Sequence, residues 1–526
     1  MIFVHTSAMS KVAQLLMGAV VAQVRGVDEE TKLALSDAMS YLVEGYEHSD
    51  AFKSRGWDGR STLFSWAESK FPIGFSVTAE TILKSRGYTV HVARKPLPGP
   101  LGPMPTQENP LVDNFPPNPD YDYQFRAPKL LERHGFFTAR VATGGGKSRL
   151  ARLCIKRIGR KTLFLTTRTV LLYQFGKDCE AAGLKVSYVG DSEWDTSGDV
   201  VLAMVPTLSQ RLQDFKDPGG LSDVEYHAAL DRHRERRQTA LELLGEIEFV
   251  IGEEAHESGS NSFYDVLKAC RSALYRLALT ATPLMRDGES NMRLIGMFGP
   301  IRLEISEKEL IDRGILAKPY FKYVKSMAPP NVRRGTAWQK AEVEGIVRNV
   351  HRNRLVAAEV IRANMLGMTS MVLVKRKEHG ELIASTLRRA GIRVQYIFGD
   401  SSKEKREKCL RMLQEGKLDC LIGSTILDVG VDVPAIGLLV LAGGGKAEVG
   451  IRQRIGRVLR RKKSGPNVSF VVDFSDLWNT HLSKHSHARR SIVEGTAGFK
   501  EGILATNDDF PFSALGFSRV QQAIAA

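Results

Sequence analysis

Cysteine is scarce in this chain. Its five cysteines (Cys154, Cys179, Cys270, Cys409, Cys420) are scattered over 526 residues and never form a CxxC pair. That excludes a disulfide framework and a zinc knuckle, and it points to a reducing, cytoplasmic setting. Long apolar runs are also missing. The one candidate, residues 12–24, is interrupted and too short to span a membrane. It also lacks the basic start of a targeting signal, the first lysine being Lys11. It reads instead as an amphipathic helix in a small N-terminal domain, and no membrane partner is expected. Proline is thin outside one stretch: nine of the 21 prolines fall between Pro96 and Pro119. Proline fixes φ and cannot feed a sheet ladder, so 96–119 reads as an extended linker.

Acidic charge is in deficit, and unevenly so. The net charge is +15, yet residues 1–120 hold 11 Lys and Arg against 13 Asp and Glu. The positive excess lies downstream, and 451–500 alone carry 11 basic and three acidic residues. Such a field attracts a polyanion, most commonly nucleic acid.

After the linker, short apolar runs at 162–166, 200–204, 247–251 and 276–280 alternate with segments of helical spacing. Strand–helix alternation predicts a parallel sheet covered by helices on both faces. The pattern pauses near Pro319 and resumes at 371–374, 394–397, 420–422, 438–441 and 470–472, which predicts a second α/β domain. The division is therefore 1–95 (an accessory domain), 96–119 (linker), 120–318 (first α/β domain), 319–490 (second) and 491–526 (tail). The charged segment 214–246 reads as a solvated helix inserted in the first domain.

Two motifs carry chemistry on their own residues. A strand ending near Val141 runs into Ala142-Thr143-Gly144-Gly145-Gly146-Lys147-Ser148. Glycines let backbone N–H groups approach phosphates, Lys147 would neutralise the β and γ phosphates of ATP, and the Ser148 hydroxyl would sit on Mg²⁺. Val141 stands where the general pattern has its first glycine. Downstream, the 247–251 strand leads into Gly252-Glu253-Glu254-Ala255-His256. Of two acidic residues at a strand end, one can hold Mg²⁺ and the next can orient and deprotonate the attacking water. Far downstream, Gln453-Arg454-Ile455-Gly456-Arg457-Val458-Leu459-Arg460 offers a second source of positive charge. Arg457 and Arg460 are three apart and would share a helix face.

Taken in order, these blocks resemble superfamily 2 helicases over residues 120–480. The resemblance implies two RecA-like parallel-sheet domains in tandem behind a small α+β accessory domain, with ATP and Mg²⁺ as cofactors. It makes Glu253 the Mg²⁺ residue, where the family usually has aspartate, and Glu254 the catalytic base. Gln124 resembles the adenine-reading glutamine. Thr280 and Thr282, in Leu279-Thr280-Ala281-Thr282-Pro283, resemble the motif coupling hydrolysis to strand separation, and His256 would join it. Thr167, Arg168, Thr207 and Thr425 fall where the family contacts backbone phosphates. Asp432 would lie near the nucleotide ribose or the arginines, while Gln453, Arg457 and Arg460 would complete the catalytic set.

In the N-terminal module, Phe52-Lys53-Ser54-Arg55-Gly56-Trp57-Asp58-Gly59-Arg60 looks like the small domain of phage UvsW-type helicases and of XPB. Trp57 reads as core, with Lys53, Arg55 and Arg60 as duplex phosphate contacts. This branch implies a 3′→5′ DNA helicase that remodels branched or forked DNA without sequence preference. By the same resemblance, RNA–DNA hybrids are possible substrates and the chain acts as a monomer, in the host cytoplasm if phage-encoded. An RNA helicase, a duplex translocase that never separates strands and an ATP-insensitive binder remain open at this point.

Overall fold

The computed structural model describes residues 11–519 apart from 218, 221, 258, 285–286, 399–400, 424–435, 446–447 and 463–464. These residues group into two units, 11–141 with 146–304, and 142–145 with 305–519. No helix among them is long and apolar enough to cross a membrane.

The first unit begins with Lys11–Met17 (β1) and Val21–Arg25 (β2), an antiparallel pair. This corrects the helix expected over 12–24. The Gly18 N–H donates to Val21 O at 2.9 Å and closes the turn. Ala13 and Leu15 face inward while Val12 and Gln14 face outward, a period of two that suits a strand. Ser40–Leu42 (β3) pairs with Arg60–Thr62 (β4). Lys70–Pro72 (β5) and Tyr88–Arg94 (β6) complete a four-stranded sheet of order β5-β2-β1-β6.

This small sheet is fused to a larger one. Phe136–Val141 (β7), Thr162–Thr166 (β8), Val186–Gly190 (β9), Glu193–Trp194 (β10), Val200–Met204 (β11), Phe249–Glu253 (β12), Tyr275–Thr280 (β13) and Ile301–Ile305 (β14) form eight strands. Their order is β10-β9-β11-β8-β12-β13-β7-β14, and the pairs from β9 to β7 are all parallel. The helix Gly288–Phe298 packs directly on the small sheet: a Cβ on Gly74 would stand 1.8 Å from Ile295 O. Arg276 is fully buried on β13, and its guanidinium donates to Ala19 O at 3.0 Å and to Cys270 O at 2.7 Å. One side chain thus ties the β1–β2 turn to the end of the helix Asn261–Ala269.

The proline-rich stretch has no helix or strand over 96–118, as its composition demands. It is nonetheless bound down along its length. Tyr275 Oη donates to Pro98 O at 2.6 Å, Arg160 Nη2 to Gly99 O at 2.7 Å and Arg157 Nη1 to Gly102 O at 2.7 Å. The charged insertion contains a 24-residue helix, Asp223–Glu246, with a Ser222–Glu225 capping box.

In the second unit Lys318–Lys325 (β15), Ser370–Leu373 (β16), Val394–Ile397 (β17), Cys420–Gly423 (β18), Leu438–Leu441 (β19) and Val468–Ser475 (β20) form an all-parallel sheet, β15-β20-β19-β16-β18-β17. β15 occupies the place where the sequence pattern pauses; lysines between its apolar residues disguise it. The tail packs on this sheet, with Phe510, Phe512 and Phe517 around Phe470. Asp509 pairs with Arg362 and, at 2.8 Å, with Lys322.

Buried in this unit, His379 Nε2 donates to Asn353 Oδ1 at 2.9 Å. Burial, with Arg352 nearby, pulls the His379 pKa down to about 3 from 6.5. The unfolded chain therefore takes up a proton that the fold refuses. This contribution to stability is complete above pH 6.5 and is lost progressively as pH falls toward 3. In thermal melts across that window, His379→Gln is expected to flatten the decline of the second unit's transition. An unchanged slope would contradict the assignment.

Candidate active site

Parallel strands place all their carboxyl ends at one edge, and in the first unit that edge collects the motifs. Met204 is level with Thr166, Glu253 with Leu279 and Thr280 with Arg140. The residues that follow β7, β8, β11, β12 and β13 thus emerge side by side.

After β7 the chain enters the glycine loop, where Gly144 and Gly146 hold φ of +89° and +78°. Only glycine adopts such angles without strain. Gly146 caps the helix Lys147–Ile158, which has no side-chain cap at its N-terminus. Its first-turn N–H groups suit an anion. Lys147 is half-buried and Ser148 exposed, both accessible to a phosphate. Thr143, Gly144 and Gly145 complete the loop.

Strand β12 runs two residues further than the sequence suggests, because Glu253 still pairs with β13. Glu253 is 8% exposed at the strand's last position. Glu254 turns the chain sharply, with φ of +47°, into a short turn at Ala255–Glu257. A non-glycine residue held there is strained, a feature that clusters at functional sites. Buried His256 places Nδ1 3.4 Å from Glu254 Oε2 and 3.2 Å from Thr280 Oγ1. A carboxylate only accepts, so a proton on Nδ1 suits both neighbours. Thr280 Oγ1 also accepts from the Thr282 N–H at 3.1 Å, and both threonines are buried. The structure therefore joins His256, Thr280 and Thr282 through hydrogen bonds and sets the Glu254 carboxylate against the His256 ring.

Gln124 is buried in the turn Pro119–Phe125, and a Cβ on Gly146 would stand 2.3 Å from its Nε2. Thr167 and Arg168 follow β8, but they face a residue that the sequence reading passes over. Thr167 Oγ1 donates to Glu257 Oε2, and Arg168 Nη2 lies 3.4 Å from Glu257 Oε1. Thr207 is half-exposed in the first turn of the helix Val205–Leu212. Lys53, Arg55 and Arg60 are exposed near Trp57, and Lys53 and Arg55 line a surface hollow together with Glu47, Trp57 and Asp58. Trp57 is not core; it is half-exposed, and its Nε1 donates to Arg60 O at 2.6 Å. Arg60 also reaches Ser40 Oγ at 2.8 Å.

In the second unit Gln453 and Arg457 lie on the helix Glu448–Val458. Arg460 does not share that helix. The helix stops at Val458, Arg460 forms an isolated bridge with Leu316, and the Ala317 N–H donates to Leu459 O at 2.6 Å. The shared helix face expected from three-residue spacing is therefore absent. Arg452, which spacing does not single out, pairs with Glu307 through two 2.7 Å contacts and is buried. Thr425, Asp432 and the side chain of Gln453 lie outside the described residues.

Two family models match the chain. A helicase conserved C-terminal domain covers residues 353–462, and a type III restriction enzyme, res subunit, covers residues 120–285. The ATP-dependent DNA helicase uvsW of Enterobacteria phage T4 is 21% identical over 90% of this chain and 93% of that protein. The DNA 3′-5′ translocase XPB2 of Sulfurisphaera tokodaii is 23% identical over 65% of this chain and 78% of that protein. The chain spans 57% of a putative helicase of Sulfolobus islandicus filamentous virus, at 24% identity over 61% of its own length. Among solved structures, a fragment of a putative HsdR subunit of a type I restriction enzyme from Vibrio vulnificus covers 72% of this chain and 66% of its own, with a TM-score of 0.51 and 17% identity. That likeness is one of fold, two RecA-like domains in tandem.

The Thr280 hydroxyl serves two partners in a dry site, so its loss should be felt. Thr280→Val is expected to lower the first unit's stability by about 1–3 kcal/mol, read as a lower midpoint in chemical denaturation. A midpoint equal to that of the wild type would show that the hydroxyl carries no net stabilisation.

Proposed function

The chain is a superfamily 2 helicase related to UvsW and XPB, an ATP-hydrolysing enzyme, and from that premise we propose that it remodels branched DNA, moving 3′→5′ on a nucleic-acid strand. The observation that carries this reading is the gathering of the phosphate-loop helix, Glu253, Glu254, His256 and Thr280 at one sheet edge. DNA as substrate and the direction of travel are supported by the names of the phage and archaeal relatives. The exposed basic group Lys53, Arg55 and Arg60 adds a surface on which a duplex backbone could rest. Branch migration, fork regression and removal of displacement loops or R-loops are the proposed outcomes of that movement. Phosphate contacts dominate such binding, so it should be insensitive to sequence and sensitive to salt.

In this reading Lys147 and the backbone N–H groups of the loop hold the phosphates of ATP. Glu254 orients the attacking water and takes its proton, and His256 holds the Glu254 carboxylate in place. The Thr280 hydroxyl, bonded to His256, links that carboxylate to the segment after β13. That is a path by which hydrolysis can be felt in the coupling motif. Arg457 and Arg460 are proposed as the cations that stabilise the transferring phosphoryl group. The donor set fits Mg²⁺: a buried carboxylate, Glu253, and a hydroxyl, Ser148, leave most coordination to water and phosphate oxygens, the usual habit of this ion. When bound, Mg²⁺ would neutralise phosphate charge. Glutamate in place of aspartate reaches about one methylene further, which should slow turnover more than abolish it.

The test is ATP hydrolysis and strand-product formation on a panel of forks, four-way junctions, plain duplex, RNA duplex and RNA–DNA hybrid. Branched DNA should stimulate hydrolysis most and yield separated or migrated strands. Lys147→Ala and Glu254→Gln should each lower turnover by about 10²–10⁴-fold. Wild-type turnover in both variants would overturn the site. Stimulation by RNA duplex alone would overturn the DNA assignment, and stimulation without strand products would leave a translocase.

A further inference from the structure

Asp113 belongs to the proline-rich stretch, yet both of its oxygens are held by a side chain of the phosphate-loop helix. Arg149 Nε donates to Asp113 Oδ2 at 2.7 Å and Nη2 donates to Oδ1 at 3.0 Å, a two-pronged pair. The remaining prong of the same fork, Nη1, donates to Gln124 Oε1 at 2.7 Å. Arg149 stands two residues after Lys147, in the first turn of the helix Lys147–Ile158, with its guanidinium 5.4 Å from the Phe125 ring centre. The pair is sheltered, its side chains being 16% and 13% exposed. Burial by itself would raise the Asp113 carboxyl, but Arg149 outweighs it and holds the group below its ordinary value.

This arrangement settles something that a glutamine by itself leaves open. A guanidinium carries donors only, so the oxygen end of the Gln124 amide must face Arg149. The nitrogen end then lies toward Gly146, where any Cβ would collide with it. An amide whose oxygen is held by Arg149 presents a fixed order of donor and acceptor. The edge of adenine offers an amino donor beside an N7 acceptor, whereas guanine offers two acceptors. A Gln124 free to flip could serve either base; a pinned one discriminates.

We infer that Asp113 and Arg149 are positioning residues for Gln124, through which the proline-rich stretch helps to set the purine preference of the nucleotide site. The inference rests on the reading of Gln124 as the base-reading residue of an ATP site.

The experiment compares ATP and GTP hydrolysis by the full-length chain, with the same nucleic-acid activator, for wild type, Asp113→Asn, Asp113→Glu and Arg149→Lys. Asp113→Asn keeps the shape but loses the charge. It should raise KM for ATP about tenfold with kcat within about twofold, and lower the ATP-over-GTP ratio of kcat/KM by a similar factor. Asp113→Glu should recover part of both. An unchanged ratio in Asp113→Asn, or ATP and GTP turnover falling together, overturns the inference in favour of a purely structural strap. If a thermal melt shows Asp113→Asn unfolded, Arg149→Lys carries the same expectation, since an ammonium cannot hold three partners in one plane. Failure of the underlying site is read separately: wild-type hydrolysis by Lys147→Ala removes the ATP site, and this inference with it.

Discussion

Everything the first unit offers to chemistry depends on one constraint, the parallel alignment of β9, β11, β8, β12, β13 and β7. Parallel strands share a direction, so their carboxyl ends open at one edge, and residues far apart in the chain meet there. The glycine loop follows β7, the Glu253–Glu254 pair closes β12, and Thr280 ends β13. With Glu253 level with Leu279, Thr280 comes within hydrogen-bonding reach of His256. Shift one strand by a residue and the His256–Thr280 contact is lost, because side chains alternate across a sheet.

That edge is supported from behind by parts of the chain with no chemistry of their own. Arg276 leaves β13 on the buried side and spends its donors on Ala19 and on the end of the helix Asn261–Ala269. A charge buried so completely is tolerated because carbonyl oxygens surround it. The small N-terminal sheet is thus welded to the ATPase half, with Gly74 pressed against Ile295. The proline-rich stretch is held in the same way, by Tyr275, Arg160 and Arg157 on one side and by Arg149, in the first turn of the helix Lys147–Ile158, on the other.

Local pattern was enough where one residue type dictates one conformation. The short apolar runs at 162–166, 200–204, 394–397 and 438–441 are strands with those bounds. The Gly-Lys-Ser run opens a helix as its phosphate-binding pattern requires. Pattern failed where two readings fit the same residues. Residues 12–24 are apolar enough for either a helix or a hairpin, and the turn at Gly18 decides for the hairpin. Arg457 and Arg460 have helical spacing, yet the chain leaves the helix at Val458 because Leu459 and Arg460 bond to Leu316 and Ala317.

By itself the sequence determined the strand–helix order, the glycine loop that opens a helix, the acidic pair at the end of β12 and the resemblance to helicases, since each is written in neighbouring residues. Only the tertiary structure decided that Asp113 meets Arg149, that Glu257 takes hold of Thr167 and Arg168, and that Glu254 bends the backbone into a strained angle. Those outcomes hinge on which strand lies beside which and on how a proline-rich stretch crosses the sheet. Contacts between residues 36 or 90 positions apart leave no mark on local spacing. They appear once burial and hydrogen bonding have been satisfied for the whole unit together.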